Sequence, residues 1–246
     1  MSAASKAENI SGPSTRTSEL LAKVVYRRAE TDAEREAIYR LRYRAYLKEG
    51  AVSPNRSGIV TDRYDDMPNS WIFGIFFEDV LTSSLRITVA SPEDSVCPSM
   101  DVFSDLLEPE LAKGQVIVDP TRFVADPSRL SRLPELPYLT LRLAYVACEY
   151  FQAQLGLASV RAEHQAFYRR VFMHAVCPPR NYPGLLKPIS LMAIDFPASH
   201  AKVFARYPFL RSTDFERRML FERAGDRSRS TLHRADLPAG ANLIAS

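Results

Sequence analysis

Six charged side chains could do chemistry together if the fold brings them to one place: Arg42, Asp62, Asp65, Arg86, Asp119 and Arg122. Arg86 and Arg122 stand within the apolar segments Ser83-Ser84-Leu85-Arg86 and Asp119-Pro120-Thr121-Arg122-Phe123-Val124, where exposure to water is hard to arrange. Charges on a buried cleft wall must pair, or their desolvation is prohibitive. Three arginines set against three aspartates could form such a wall. Arg42 has two readings: a member of that cluster, or a solvated helix-face arginine among Arg35, Arg40 and Arg44. Asp62 and Asp65 sit in a polar loop, where carboxylates are ordinary. Pro120 inside a strand marks an edge, a bulge or a break.

The rest of the composition removes other chemistries. Of 246 residues, 46% are hydrophobic and 25% charged, the mix of a soluble globular chain. A formal net charge of +3 gives no grounds for a nucleic-acid binder. Nine glycines are so scattered that neither a G-x-G-x-x-G nor a Walker A loop can be written. Cys97, Cys148 and Cys177 form no C-x-x-C pair and read as reduced, mostly buried small hydrophobes. His164, His174, His200 and His233 lack zinc-site spacing, so no metal is expected. Met1 to Thr17 lacks the apolar stretch of a signal peptide. The longest apolar run, Trp71 to Phe77, is far too short to span a bilayer. The expectation is a cytoplasmic protein with no integral membrane insertion.

The elements that must position these residues follow from periodicity. Residues 1–22 read as a flexible N-terminal arm, 23–225 as one domain and 226–246 as a disordered tail. Lys23 to Arg28 is a strand. Thr31 with Glu34 makes a capping box for a helix whose buried face carries Ile38, Leu41 and Ala45, ending at Gly50. Trp71 to Phe77 and Leu81 to Ala90 form a hairpin about Glu78-Asp79. A short helix around Val102 to Leu107 precedes the strand Gln115 to Val124. A long helix, Tyr138 to Leu155, is expected to be capped by Gly156, with the strand Ala158 to Ala162 after it. A helix over Gln165 to Ala175, a strand over Leu185 to Ile194 and two helices split by Pro208 complete the order. Such a sequence of elements is α/β: a central mixed sheet with helices on both faces.

That order resembles the GNAT acyltransferase fold, and five segments narrow the resemblance. Leu41-Arg42-Tyr43-Arg44-Ala45-Tyr46 resembles the Arg-x-x-x-Phe element of LuxI-type acyl-homoserine lactone synthases. Asp62-Arg63-Tyr64-Asp65 resembles their D-x-x-D pair, and Ser83 to Arg86 their G-x-x-R strand without the glycine. Asp101 to Leu107, containing Phe103, resembles their vFpeLL helix. Asp119 to Val124 resembles their E-x-S-R-F strand, with Asp for Glu and Thr for Ser. The family's tryptophan after the first helix is absent from Ala51 to Asn55. The pattern is closer to the Fee-type N-acyl amino acid synthases, which join a fatty acyl group from acyl carrier protein to the amine of an amino acid.

The resemblance implies a fourth strand splayed from the fifth, with backbone N–H groups near Phe123 and Val124 facing a thioester carbonyl. Asp119 would position or deprotonate the amine, and an unperturbed Asp is too weak a base at pH 7 for positioning not to be favoured. Arg122 joins these as a catalytic residue, and Arg42, Tyr46, Asp62, Asp65, Arg86 and Phe103 would bind the acceptor. CoA-dependent relatives of this fold carry a glycine-rich loop after the fourth strand, whereas Asp126 to Leu133 has no glycine. The implied donor is therefore the phosphopantetheine of acyl carrier protein, with no tightly bound cofactor. Arg129, Arg132 and Arg142, with Arg169, Arg170 and Arg180, are candidates to dock that acidic partner, although scattered arginines are mostly solvated surface. Trp71, Phe73, Leu139, Leu143, Val146 and Tyr150 could line an acyl tunnel, or simply form core. Two rival expectations remain: a lactone synthase using S-adenosylmethionine, and a GNAT-like module that binds an acyl chain or other ligand without turnover.

Overall fold

Alternation along the strands decides which side each helix covers. A computed structural model of the chain describes residues 13–129, 132–182 and 186–223. Seven strands form one mixed sheet: β1 (Val24–Arg28), β2 (Ser70–Phe77), β3 (Val80–Ala90), β4 (Ile117–Ala125), β5 (Leu155–Val160), β6 (His174–Ala175) and β7 (Ser190–Asp195), in the spatial order β1-β2-β3-β4-β5-β7-β6. Only β4 and β5 run parallel. The helices are α1 (Pro13–Leu21), α2 (Asp32–Lys48), α3 (Met100–Ala112), α4 (Leu136–Tyr150), α5 (Gln165–Arg170), α6 (Phe196–Arg206) and α7 (Asp214–Phe221).

Trp71, Phe73 and Ile75 of β2 and Leu85 and Ile87 of β3 pack with α4, α6 and α7 in the larger core. Their alternates face the other way: Ile72 meets Ile38 of α2, while Ile117 and Leu157 meet Phe103, Leu107 and Leu111 of α3. Successive strand residues point to opposite faces, so α2 and α3 cover one side and α4 the other. Gly74 leaves room for its hairpin neighbours under α2: a Cβ there would lie 2.9 Å from the Phe76 ring and 3.0 Å from Leu81, with Ile38 of α2 in ordinary contact at 3.5 Å.

Several local expectations hold. Thr31 and Glu34 form the reciprocal capping box of α2, and Gly50 follows its C-cap at φ +62°. Glu78 and Asp79 both take left-handed backbone at the β2–β3 turn, as a two-residue hairpin demands.

Others are corrected. Residues 13–21, placed in a flexible arm, are helical, with Thr17 buried and Leu21 against the core. Residues 1–12 and the tail 226–246 lie outside the described residues. Gly156 caps nothing: α4 ends at Tyr150, and Gly156 is a strand residue between Val118 and Ile194. Its missing Cβ matters there, since one would meet Ile194 at 3.0 Å and Cys148 at 3.3 Å. Helix α5 stops at Arg170, and β7 begins at Ser190, while Leu185, the expected start of that strand, lies outside the described residues. The supposed tunnel residues are packed core, with Trp71 against Phe151 and Phe221, and Phe73 against Phe221.

Candidate active site

The parallel ladder between β4 and β5 lasts two pairs, Ile117↔Leu155 and Val118↔Gly156. Val116 O accepts from Leu155 N on this edge, so alternate residues 116, 118 and 120 face β5. The next donor in line is Pro120, which has no N–H to give. The strands part there, and β4 keeps only β3 as a partner beyond that point. A second irregularity follows at once. Ser84 pairs Val124 and Arg86 pairs Thr121, so Arg122 and Phe123 together oppose Leu85. Such a bulge bends the strand and resets its alternation. Val118 faces the α4 side, whereas Val124 packs on Leu41 and Ala45 of α2. Arg122 takes φ +54° to make the turn, a left-handed conformation that costs a non-glycine residue about 1–2 kcal/mol.

That bulge aims Arg122 at the α2 face, where the sequence-selected ions meet. Arg42, Asp65 and Arg86 are fully or almost fully buried. Arg42 Nη1 donates to both oxygens of Asp65 at 2.9 Å. Arg86 donates from Nη1 to Asp65 at 3.0 Å and from Nη2 to Asp62 at 3.2 Å, while its Nε reaches Thr121 Oγ1 at 3.1 Å. Arg122 Nε donates to Asp62 at 2.9 Å. The loop presents both carboxylates because they cap its single 3-10 turn, Arg63–Asp66: Asp62 accepts from Tyr64 N and Asp65 from Asp62 N. The burial of Arg42 excludes the solvated-face reading. Each arginine also lies over a ring: Arg42 on Tyr39, Arg86 on Tyr64 and Arg122 on Tyr46.

Burial alone would raise both aspartates' pKa values, and the guanidiniums outweigh it. Asp62 is held at about 2 by Arg86 and Arg122, and Asp65 is lowered by Arg42 and Arg86. Arg42 shifts down, chiefly from burial, and its Nε and Nη2 have no hydrogen-bond partner. The cluster therefore holds three guanidiniums against two carboxylates, with its exposed end at Arg122 and Asp62.

Asp119 makes no ion pair with this cluster, although the Arg86 charge reaches it. Its carboxylate is fully buried, accepting from Ser99 N at 2.8 Å and Ser99 Oγ at 2.9 Å. Burial raises its pKa, with the Ser99 donors pulling the other way. No surface of Asp119 is exposed; besides Ser99 its carboxylate is met by the Cys97 thiol and feels the charge of Arg86.

A sequence profile of the N-acyl amino acid synthase FeeM family matches residues 37–195. The chain belongs to that family. No curated protein matches it in sequence. The structure of FeeM, an N-acyl amino acid synthase from uncultured soil microbes, superposes with a TM-score of 0.61 at 16% identity, over 74% of this chain and 96% of that one. TofI in a ternary complex with an inhibitor and MTA gives 0.53 at 18% identity, over 77% and 100%. BjaI, a CoA-dependent acyl-homoserine lactone synthase, gives 0.52 at 14%, over 85% and 99%. The fold is thus that of the GNAT-like acyltransferases, and the chain is an acyltransferase of the FeeM family.

Within this FeeM-family chain, Phe103 is buried on the α3 side, with Arg180 over its ring. Tyr46 is half-buried beside Arg122, and Phe123 packs toward the α4 core. Arg142 must be withdrawn from any docking surface. It is buried, donating to Phe209 O, Arg211 O and Glu216, and so pins α7 to α4. Arg180 is committed to Asp105 and Val102 O. Arg132 is exposed and Arg129 half-buried, with Arg44 and Lys48 reaching the same loop at Asp126 and Pro127.

Sequence reasoning missed Ser99, Ser159, Tyr64 and Tyr182. Tyr64 donates to Asp101 at 2.6 Å. The Tyr182 hydroxyl donates to Pro98 O, and burial and then the Asp101 and Asp119 charges raise its pKa. Ser159 had a legible signal, a hydroxyl in the otherwise apolar strand Leu155–Val160. No helix among the described residues is long and apolar enough to cross a membrane.

Proposed function

We propose that this chain transfers a fatty acyl group from an acyl carrier protein thioester to the amine of an amino acid. The observation that carries the reading is the gap that Pro120 opens between β4 and β5, with an unbalanced ionic cluster at its mouth. A thioester carbonyl laid along the unpaired edge of β4 meets a backbone N–H at the bulge near Phe123, a fixed donor for the oxygen that becomes charged on attack. Val124, paired with Ser84 and two residues before the Asp126 N–H that donates to Thr82 O, turns its own N–H toward β3. The amine nitrogen bonds to the carbonyl carbon, the C–S bond breaks and the thiol departs. Holding the two reactants together supplies much of the acceleration.

The cluster supports an amino acid as acceptor. The end of the cluster open to solvent is Arg122, whose guanidinium shares Asp62 with Arg86 and can take a further carboxylate. The donor side supports a carrier protein. Asp126 to Leu133 offers no glycine-rich cradle for a pyrophosphate. The residue at the start of α4 is Glu135, engaged by Arg16, and a carboxylate there repels phosphate. Arg129 and Arg132, joined by Arg44 and Lys48, provide the basic surface for an acidic carrier.

The test is purified protein with acyl carrier protein thioesters and a mixture of amino acids, read by free-thiol release and mass spectrometry. N-acyl amino acids from the carrier thioester are expected, with acyl-CoA a poor substitute. Acyl-homoserine lactone from added S-adenosylmethionine, or no thiol released with any acceptor, overturns the reading.

A further inference from the structure

Asp119 is sealed from the strand gap, yet one short path leads out of it. Ser99 Oγ lies 2.9 Å from Asp119 Oδ1 and 2.9 Å from Ser159 Oγ. Ser159 sits on β5 beyond the last β4 pair, on the same face as Leu157, and is half-buried, so one side of it remains open. A carboxylate only accepts hydrogen bonds, so the Ser99 hydroxyl donates to Asp119. Its oxygen then accepts from Ser159. The Ser159 hydrogen is thereby turned inward, leaving its lone pairs as the outward-facing groups.

We infer that Ser159 and Ser99 form a two-hydroxyl relay that carries the proton of the attacking amine to Asp119. The inference rests on the acyl-transfer reading above. As the C–N bond forms, Ser159 Oγ takes a proton from nitrogen and passes its own to Ser99, which passes its own to Asp119 Oδ1. The C–S bond then breaks, sulfur leaves with the electron pair, and the proton returns along the same hydroxyls to give the free thiol. Amine and thioester become amide and thiol with no net proton change. The burial that raises the Asp119 pKa makes its carboxylate a better proton acceptor than an exposed aspartate. Ser99 N–H holds the other oxygen at 2.8 Å and fixes the carboxylate's orientation.

Ser99 also begins α3, so its removal risks the fold, and the decisive variants are at Ser159. Ser159→Ala is expected to lower kcat about 100-fold with the KM for the amino acid unchanged. Ser159→Thr, which restores a hydroxyl in a residue suited to a strand, is expected to recover kcat to within about tenfold of wild type. Both should unfold at the wild-type temperature. Ser159→Ala within twofold of wild-type kcat, a rise in KM alone, or equal loss in both variants overturns the relay while the acyl-transfer reading stands. A wild-type protein that makes no acyl amino acid overturns the reading and the relay with it.

Discussion

Two sets of buried arginine lie on opposite faces of the sheet, and they are built differently. On the α4 face Arg142 is matched one to one with Glu216, and two backbone carbonyls take its remaining donors. On the α2 face Arg42, Arg86 and Arg122 share only Asp62 and Asp65, and two nitrogens of Arg42 have no partner. One set is closed and neutral, the other keeps a spare charge where the strands part. A balanced clamp has nothing left to offer a ligand. An unbalanced cluster at an open edge does, at a cost in desolvation that the fold must carry.

The comparison breaks first at Asp65. Asp65→Ala leaves Arg42 buried with no carboxylate and Arg86 with only Asp62, which it shares with Arg122, and should cost about 3–5 kcal/mol of stability. Urea unfolding measures it, with an unchanged slope expected if the denatured state is unaffected. A loss below about 1 kcal/mol means that the cluster is hydrated rather than buried.

The α4 clamp gives the next effect. Arg142→Met removes the bonds that hold α7, for about 2–3 kcal/mol, since the freed carbonyls lose a charged donor. Activity per folded molecule and the KM for acyl carrier protein should not move. A rise in that KM would return Arg142 to the docking surface from which its burial removes it.

Why one arginine set was legible and the other was not comes down to distance in sequence. Short-range rules placed the Thr31 capping box, the Glu78-Asp79 hairpin and the break at Pro120, because each is decided by neighbours. The motif pattern placed Arg42, Asp62, Asp65, Arg86 and Arg122 together, while leaving the burial of Arg42 open. Arg142 was misread because its partner Glu216 is 74 residues away and belongs to a helix whose packing no local pattern reveals. Gly156 was misread for a related reason. A glycine after a long helix looks like a cap until Val118 and Ile194 claim it for the sheet. The Asp119–Ser99–Ser159 path joins three separate stretches of chain, and only the lone hydroxyl of Ser159 in an apolar strand marks it locally.

Acid sharpens the same contrast at lower energy. Asp62 is held at about 2 against an ordinary value of 3.8, so its native charge is favoured. A lowered carboxylate pKa adds stability that is complete above pH 4 and lost as pH falls through about 2. With its side chain partly open to solvent, the contribution is about 1–2 kcal/mol. Wild type should therefore lose stability between pH 4 and 2 more steeply than Asp62→Asn, measured by thermal unfolding at each pH. Parallel curves for the two proteins would show that Asp62 is not held by Arg86 and Arg122 in solution.

The smallest change in stability comes at Arg122, and it separates structure from function most cleanly. Glycine accepts φ +54° without the penalty that arginine bears, so Arg122→Gly relieves about 1 kcal/mol of backbone strain. The same change removes the ion pair with Asp62, which is partly exposed on both sides and worth about 1 kcal/mol at most. The two nearly cancel, and stability should stay within about 1 kcal/mol of wild type. Activity should not stay: with the spare charge gone, an acceptor carboxylate has no partner, and kcat/KM for the amino acid should fall about 100-fold or more. An amine lacking the carboxylate should lose far less on the same substitution, because it never used that charge. If both acceptors fall equally, Arg122 serves the bulge rather than the substrate, and the three-against-two imbalance is not a binding device.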